Sequence, residues 1–520
     1  MIQSIDYAAI APPLILALMA GAVLLLDAFL PRGPRTRSTL GMFTLAGVLG
    51  ALAVVVAQAV RGERLQTFCV PANLAGGRTS CSFVVDDLTL VFGAVVLAAG
   101  VVVVLLSAAQ LADGTIPAGE WYFLLLCTLT GAVTLPASRD LIMLVVALEL
   151  VSLPVFALTA FKRYDPRGSE AALKLFLVSV ISTAIMLFGV SLLYGLTGSV
   201  HLDRIGAALP MSASGFPRRY AEATAAIGAQ TGTPADVLGQ LPPGVTPGVL
   251  AVAVVLVLAG FAFKVAAVPF HFWAGDVYQG APVPVAALLS VISKAAGFAG
   301  LILVLTIALK GQGGLWGPLV AVLAALTMTV GNLLALRQRH AVRLLAWSSV
   351  AQSGYILAPL GVAGKSAASA SIAYLAIYAA MNIGAFAVVM LVSRTAPRNE
   401  LDDYRGLAFR APVPALALAF FLICLAGLPP GLAGLFAKVV VFREIVQGGG
   451  GWLAVVMAVN TVIGLYYYIT WTARLFAPVP EAGPLAARAP SRAVTIAIAL
   501  GLVASVAFSV APQLVLSAVG

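Results

Sequence analysis

Long apolar runs separated by short polar connections fill almost the whole chain. They fall at about 7–30, 38–60, 87–111, 120–136, 138–160, 171–197, 247–272, 281–309, 315–336, 343–363, 367–393, 412–444, 452–473 and 493–517, fourteen in all. A helix rises about 1.5 Å per residue, so roughly 20 apolar residues cross a bilayer. The pattern therefore predicts an all-α polytopic membrane protein of about fourteen transmembrane helices. Between the fourth and fifth runs, Pro136 and the polar Ser138-Arg139-Asp140 predict a tight turn. The first run has no small-residue cleavage site after a short apolar core, and reads as an anchored helix.

Composition narrows the class further. Of 520 residues, 61% are hydrophobic and only 10% charged, against about 25% charged in a soluble domain. A soluble enzyme, a nucleic-acid reader and a disordered scaffold are excluded. The net charge of +10 is spread over the connections between apolar runs. Odd-numbered connections hold fifteen Lys and Arg and even-numbered ones nine. The positive-inside rule then makes the odd connections cytoplasmic and places both termini outside. Cys69 and Cys81 fall in the second connection, on the outer side, where they either close a disulfide or stand as two interfacial thiols. Cys127 and Cys424 lie within apolar runs as small packing residues. The longest polar stretch, 198–246, reads as an outside loop with one short helix around 219–230.

Only seven of the 30 basic residues are lysines, yet Lys174, Lys264, Lys294 and Lys438 fall within apolar runs, where arginine hardly appears. Lysine can release its proton on burial and arginine effectively cannot. The sorting points to titratable amines in the bilayer. The competing explanation is snorkelling, a long side chain reaching the interface from near a helix end. Lys294 stands about thirteen residues from either end of its run, roughly 20 Å, beyond any such reach. Lys264 stands eight residues before the end of its run, roughly 12 Å. Lys438 follows the helix-breaking Gly427-Leu428-Pro429-Pro430-Gly431. Lys174 is near a cytoplasmic end and four residues from Glu170, which fits an interfacial pair nearly as well. One acid matches these cations in depth: Glu149, eleven residues from either end of its run. Ionisable groups at such depth are expensive and mark ion or proton pathways when they are not structural ion pairs. Asp86, Asp87 and Asp140 sit at helix starts, where carboxylates meet the positive end of the dipole. His271 and His340 are at run ends and read as interfacial; His201 lies in a loop.

The lysines also reveal a repeat. Spans 4–8 and 9–13 form two groups of five, each with a lysine on a proline-interrupted fourth member, Lys264 beside Pro269 and Lys438 after Pro429-Pro430. Five is odd, so the two groups run through the membrane in opposite directions, as in inverted-repeat transporters with discontinuous helices. The expected division is 1–111, a three-helix segment; 120–310, the first five-helix repeat with the outside loop 198–246; 315–478, the second repeat; and 490–520, a C-terminal helix. An ion pair between Glu149 and a lysine holds both groups charged, and opening it lets them exchange protons. Chained through Lys294 and Lys438, such a pair becomes a lateral proton relay. The chain shows no cysteine cluster for iron–sulfur ligation, no dinucleotide-binding fingerprint and no metal-ligand spacing.

Phe261-Ala262-Phe263-Lys264-Val265-Ala266-Ala267-Val268-Pro269-Phe270-His271-Phe272-Trp273, then Asp276-Val277-Tyr278-Gln279-Gly280-Ala281-Pro282 and Ser293-Lys294-Ala295-Ala296-Gly297-Phe298, closely resemble the N-subunit family of bacterial NADH:quinone oxidoreductase, respiratory complex I. Arg343 to Tyr355 and Ala426-Gly427-Leu428-Pro429-Pro430 resemble it too, and the likeness spans about 85–475. The Tyr-Gln-Gly-Ala-Pro run distinguishes it from the related L and M subunits and from multisubunit cation/proton antiporters. The resemblance implies a proton-translocating, antiporter-like subunit with its key positions at Glu149, Lys264, Lys294 and Lys438. It implies no cofactor in this chain, with NADH, flavin, iron–sulfur clusters and quinone handled by partner subunits in a bacterial plasma membrane. Small membrane subunits and other antiporter-like subunits would flank it. The alternative is a subunit of a cation/proton antiporter or membrane-bound hydrogenase. Three positions depart from the family pattern: Gly275 for proline, Trp347 for tyrosine, and Val342 where a lysine commonly precedes the arginine.

Overall fold

The computed structural model describes residues 5–70, 79–162, 165–209, 247–478 and 491–519. The helix expected around 219–230 lies outside the described residues. The helices are α1 (Tyr7–Phe29), α2 (Pro34–Arg61), α3 (Asp87–Gln110), α4 (Ala118–Thr134), α5 (Leu141–Ala160), α6 (Pro166–Thr197) and the short α7 (Leu202–Ala208). They continue with α8 (Pro247–Lys264), α9 (Ala274–Gly280), α10 (Val283–Ala308), α11 (Gly313–Leu336), α12 (Ala341–Leu357) and α13 (Ala367–Ser393). The last are α14 (Pro412–Ala426), α15 (Leu432–Gln447), α16 (Gly451–Phe476), α17 (Arg492–Val510) and the short α18 (Gln513–Val519). Among the described residues, eleven helices are long and apolar enough to cross a membrane. The broken pairs α8/α9 and α14/α15, together with α12, complete the fourteen segments read from hydropathy.

The helix starts follow the local chemistry. Asp6 caps α1 by accepting from the Ala8 and Ala9 amides, Asp86 caps α3 from Thr89, and Asp140 caps α5 from Met143. Asp86 also receives Arg139 at 2.6 Å, tying the start of α3 to the turn before α5. That turn is a single 3-10 turn, Leu135–Ala137, where Pro136 was expected to bend the chain.

One feature departs from an all-α chain. The second connection forms an antiparallel hairpin, β1 (Leu65–Cys69) and β2 (Cys81–Val85), closed by a Cys69–Cys81 disulfide. Ten strand residues were invisible to a hydropathy reading because the span pattern on either side masks a short period-2 segment. Phe83 bridges to Ser138, and Asp140 bridges to His201, so the second, fourth and sixth connections meet on one face. His340 pairs with Glu400, joining the ninth and eleventh connections. Even connections meet even and odd meet odd, as alternating spans require.

Burial separates centre from periphery. In α10 and in α13, 94% of the most apolar window is buried, against 28% in α6. Side chains on α10 and α13 therefore face protein on all sides, whereas α6 presents Leu173, Phe176, Leu177 and Ile181 outward. Helix α10 is interrupted twice by π turns, Leu289–Ser293 and Val304–Ala308, a distortion often found at functional positions.

The two breaks are built differently. Helix α8 stops at Lys264, and the chain runs without α-helix through Val265–Trp273 before α9. The interruption expected from Pro269 therefore begins five residues earlier, at Lys264: the lysine terminates the half-helix, at the negative end of its dipole. Helix α14 ends at Gly427, in left-handed backbone at φ +81°, and α15 then folds back closely. A Cβ on Gly434 would lie 1.7 Å from the Cys424 carbonyl oxygen. Gly434→Ala is expected to push the two half-helices apart and cost at least the ~1–3 kcal/mol of an overpacked core. Thermal unfolding of the purified chain would check this; an unchanged midpoint would contradict the close crossing.

Candidate functional site

Three buried ammonium groups line the interior, each at a point where backbone geometry is irregular. The first closes α8. The Lys264 ammonium donates to the Ser152 hydroxyl and, at 3.3 Å, to Ser179. Glu149 on α5 approaches it at 3.7 Å and accepts a 2.7 Å hydrogen bond from Thr183 on α6. The Lys264 side chain is 9% exposed and that of Glu149 26%. This is a loose ion pair: each charge is held mainly by hydroxyls, so the two can separate without leaving either bare. A cavity of about 20 Å³, large enough for one water, is lined by Lys264, Ser152, Ser179, Trp273 and Ser293. The Trp273 indole N–H is buried without a partner among the described residues.

Pro269 explains how the break is held. Having no N–H, it cannot bond the Val265 carbonyl four residues back. The Ser353 hydroxyl on α12 donates to that carbonyl instead, at 2.6 Å. The Val268 N–H donates to Thr327 on α11, at 3.0 Å. Helices of the second group thus support the break in the first.

Lys294 stands directly after the first π turn of α10 and is 2% exposed. Its ammonium donates to the Ser349 carbonyl and, at 2.6 Å, to the Ser349 hydroxyl on α12. Tyr378 on α13 donates to the same hydroxyl at 2.8 Å and lies with its ring centroid 5.7 Å from the ammonium. Lys438, 8% exposed, belongs to α15. Pro429 and Pro430 cannot donate to Leu425 and Ala426, the carbonyls four residues before them. Those are the two carbonyls the Lys438 ammonium takes, at 3.3 and 2.6 Å. Among the described residues, neither Lys294 nor Lys438 has a carboxylate partner. Both amines are held by neutral acceptors.

Polar side chains fill the space between them. Tyr374 donates to Gln352 at 2.7 Å, Gln352 reaches the Tyr468 hydroxyl at 3.3 Å, and Tyr468 shares a hydrogen bond with Ser348. The Tyr355 ring lies 5.6 Å from the Lys438 ammonium and stacks on Tyr374 at 6.1 Å. The Tyr355 hydroxyl accepts from Asn332, which also accepts from Tyr467. None of these hydroxyls and amides was singled out from sequence. The available signal was the density of polar residues in an apolar run: Ser348, Ser349, Gln352, Ser353 and Tyr355 within a single helix, spaced by three and four so that they share faces.

Lys174 belongs elsewhere. It is 44% exposed and joins Glu170 at 2.6 Å and Asp276 at 3.0 Å, while the second Asp276 oxygen receives Arg343 at 3.0 Å. It sits in an interfacial charge cluster that ties α9 to α6 and α12. His340, outside the spans at the start of α12, is held far below the usual range, at about 4, by burial and then by Arg343 and Arg167. It is neutral near pH 7, consistent with its accepting the Arg343 amide. The sequence departures at Gly275 and Trp347 are one contact: a Cβ on Gly275 would lie 2.8 Å from the Trp347 ring. A larger ring on α12 is accommodated by a missing side chain on α9.

Buried amines at helix breaks, one opposed by a half-buried acid and all joined by hydroxyl-rich helices, define an antiporter-like ion-translocating membrane protein. The family described as NADH:quinone oxidoreductase/Mrp antiporter, TM, matches residues 138–464, a span holding all five charged candidates. NADH-quinone oxidoreductase subunit N 2 of Streptomyces griseus is 49% identical, the match covering 99% of this chain and 93% of the relative. A chain of respiratory complex I from Thermus thermophilus, solved with bound aureothin, is 31% identical with a TM-score of 0.74, covering 98% of this chain and 100% of that one. A chain of the Mrp complex from Dietzia superposes at a TM-score of 0.77 with 22% identity, a likeness of fold alone. Shape does not separate the two classes; sequence identity does. The chain belongs to the NADH-quinone oxidoreductase subunit N family.

Proposed function

We propose that the chain moves protons across a bacterial plasma membrane as the antiporter-like subunit of an NADH:quinone oxidoreductase, driven by redox chemistry in partner subunits. Glu149 and Lys264 act as the switch, Lys294 and Lys438 as the onward relay, and Lys174 as a peripheral member at the interface. The observation that carries this reading is the loose Glu149–Lys264 pair, 3.7 Å apart and cushioned by Ser152, Ser179 and Thr183. A structural ion pair would be closed tightly; this one has neutral partners ready for both groups once it opens. Lys294 and Lys438, held by hydroxyl and carbonyl oxygens, have a place for the amine whether or not it carries its proton. Residues 1–111, 120–310, 315–478 and 490–520 divide the chain into a three-helix segment, two inverted repeats and a C-terminal helix. Both termini lie outside and the arginine-rich odd connections face the cytoplasm. The chain carries no redox centre of its own; NADH, flavin, iron–sulfur clusters and quinone belong to the partners.

The reading predicts that a Lys438→Met chain, in an assembled complex, lowers proton uptake per NADH oxidised in inverted membrane vesicles. Quinone-linked NADH oxidation provides the reference. Proton movement driven by a sodium gradient and indifferent to NADH would instead assign the chain to a cation/proton antiporter.

A further inference from the structure

A second built cavity lies away from the buried charges. It encloses about 350 Å³ between α2, α3, the start of α4 and the start of α17, within the roughly 300–1,000 Å³ of small-molecule sites. Its inner wall is apolar, from Met42 and Leu45 on α2 to Val104 and Leu105 on α3. Its rim is not. Pro34, the first residue of α2, and Ala493, in the first turn of α17, both line it, and among the described residues neither helix has a side-chain cap. Their first-turn amides, those of Arg35 and Thr36 among them, therefore turn the positive ends of two long dipoles toward the rim.

Arg37 adds a full charge. Its guanidinium lies over Gly114, whose φ is +73° and whose missing side chain makes the room: a Cβ there would be 1.9 Å from Nη1. Among the described residues Arg37 forms no ion pair. Arg35 and Arg492 adjoin the lining residues Pro34 and Ala493 in the chain. At the end of α3, the Leu111 carbonyl is taken by the Gly114 amide, so its negative end is covered. The Tyr122 hydroxyl opens into the same space. Tyr122 is 1% exposed, no described residue hydrogen-bonds its hydroxyl, and the ring fits only because Gly41 has no side chain, a Cβ there lying 2.7 Å away.

We propose that this cavity binds an anionic phospholipid, its phosphodiester held by Arg37, Tyr122 and the uncapped start of α2, with an acyl chain along Met42, Leu45 and Leu105. The chemistry asks for both parts: a phosphate for the donors and a hydrocarbon for the wall. The first and third connections, which border the rim, fall on the arginine-rich side, where acidic lipid concentrates in a cytoplasmic leaflet.

The test uses the assembled complex in detergent with a phosphatidylglycerol carrying a diazirine on one acyl chain. Cross-links are expected within residues 34–45 and 104–112, competed by unlabelled phosphatidylglycerol and not by phosphatidylcholine. Arg37→Gln should lower labelling there about fivefold, the effect of one basic residue near an acidic lipid, and Arg37→Lys should restore most of it. Ala108→Phe, which fills the exposed end of the apolar wall without altering charge, should also lower it. Equal competition by phosphatidylcholine would reduce the cavity to ordinary lipid contact and overturn the proposal. Displacement by inorganic phosphate alone would assign the donors to a free anion. Absence of cross-links in the assembled complex would mean that another subunit covers the cavity, and would overturn it as well.

Discussion

An assembled complex carrying Lys294→Arg is expected to lose proton transfer through this chain by on the order of a hundredfold, the low end of what positioned acid–base groups contribute. The substitution keeps the positive charge and removes the ability to give it up, because arginine effectively never deprotonates in a protein. The Lys294 site is closed on every side: the residue is 2% exposed, and its ammonium touches the Ser349 carbonyl and hydroxyl under the Tyr378 ring. If Lys294 only fixed the packing of α10 against α12, a retained cation would be tolerated and Lys294→Met would be the damaging change. If it passes protons, both fail. Guanidinium is bulkier than ammonium, so assembly must first be shown by native electrophoresis. The measurement is then proton uptake per NADH oxidised in vesicles, alongside quinone reduction. Wild-type uptake by an intact Lys294→Arg complex would remove this residue from the relay.

The charged positions could be found without a structure because the bilayer makes them conspicuous. An amine thirteen residues from either end of an apolar run has no bland explanation, and Glu149 stood out by the same depth argument. The capping aspartates and the turn at Pro136 were equally legible, since their chemistry is local. What stayed hidden depends on partners distant in sequence. Pro269 announces a break but not where the helix gives way; that is decided by Ser353 and Thr327, which satisfy the freed groups at Val265 and Val268. Pro429 and Pro430 announce two orphaned carbonyls, yet only folding brings the Lys438 ammonium onto them. Lys174 shows the reverse: its position allowed a buried role, and tertiary contacts with Asp276 and Glu170 place it in a partly exposed charge cluster. The hydroxyls around Lys264 escaped notice because serine and threonine are ordinary residues in apolar helices, where they bond their own backbone. Their meaning comes from what stands opposite.

That opposition makes Glu149→Gln the most discriminating change at the switch. Glutamine keeps the shape and can still accept from Thr183, which bonds Glu149 at 2.7 Å. It removes the charge that faces Lys264 at 3.7 Å. Ser152 and Ser179 still receive the ammonium, so the local fold should survive, and the loss should fall on function rather than assembly. Proton uptake is expected to drop by on the order of tenfold or more, toward the range of lost acid–base groups. Glu149→Asp retains the charge but draws it back by one methylene, lengthening an already loose pair, and should fall between the two. A purely structural pair predicts another ranking: Gln would destabilise the complex, because an unopposed buried ammonium is costly, while pumping in whatever assembled would stay normal. Measuring assembly and proton uptake on the same vesicles separates the cases. Normal uptake by a fully assembled Glu149→Gln complex would leave the pair as a packing device and move the switch elsewhere in the chain.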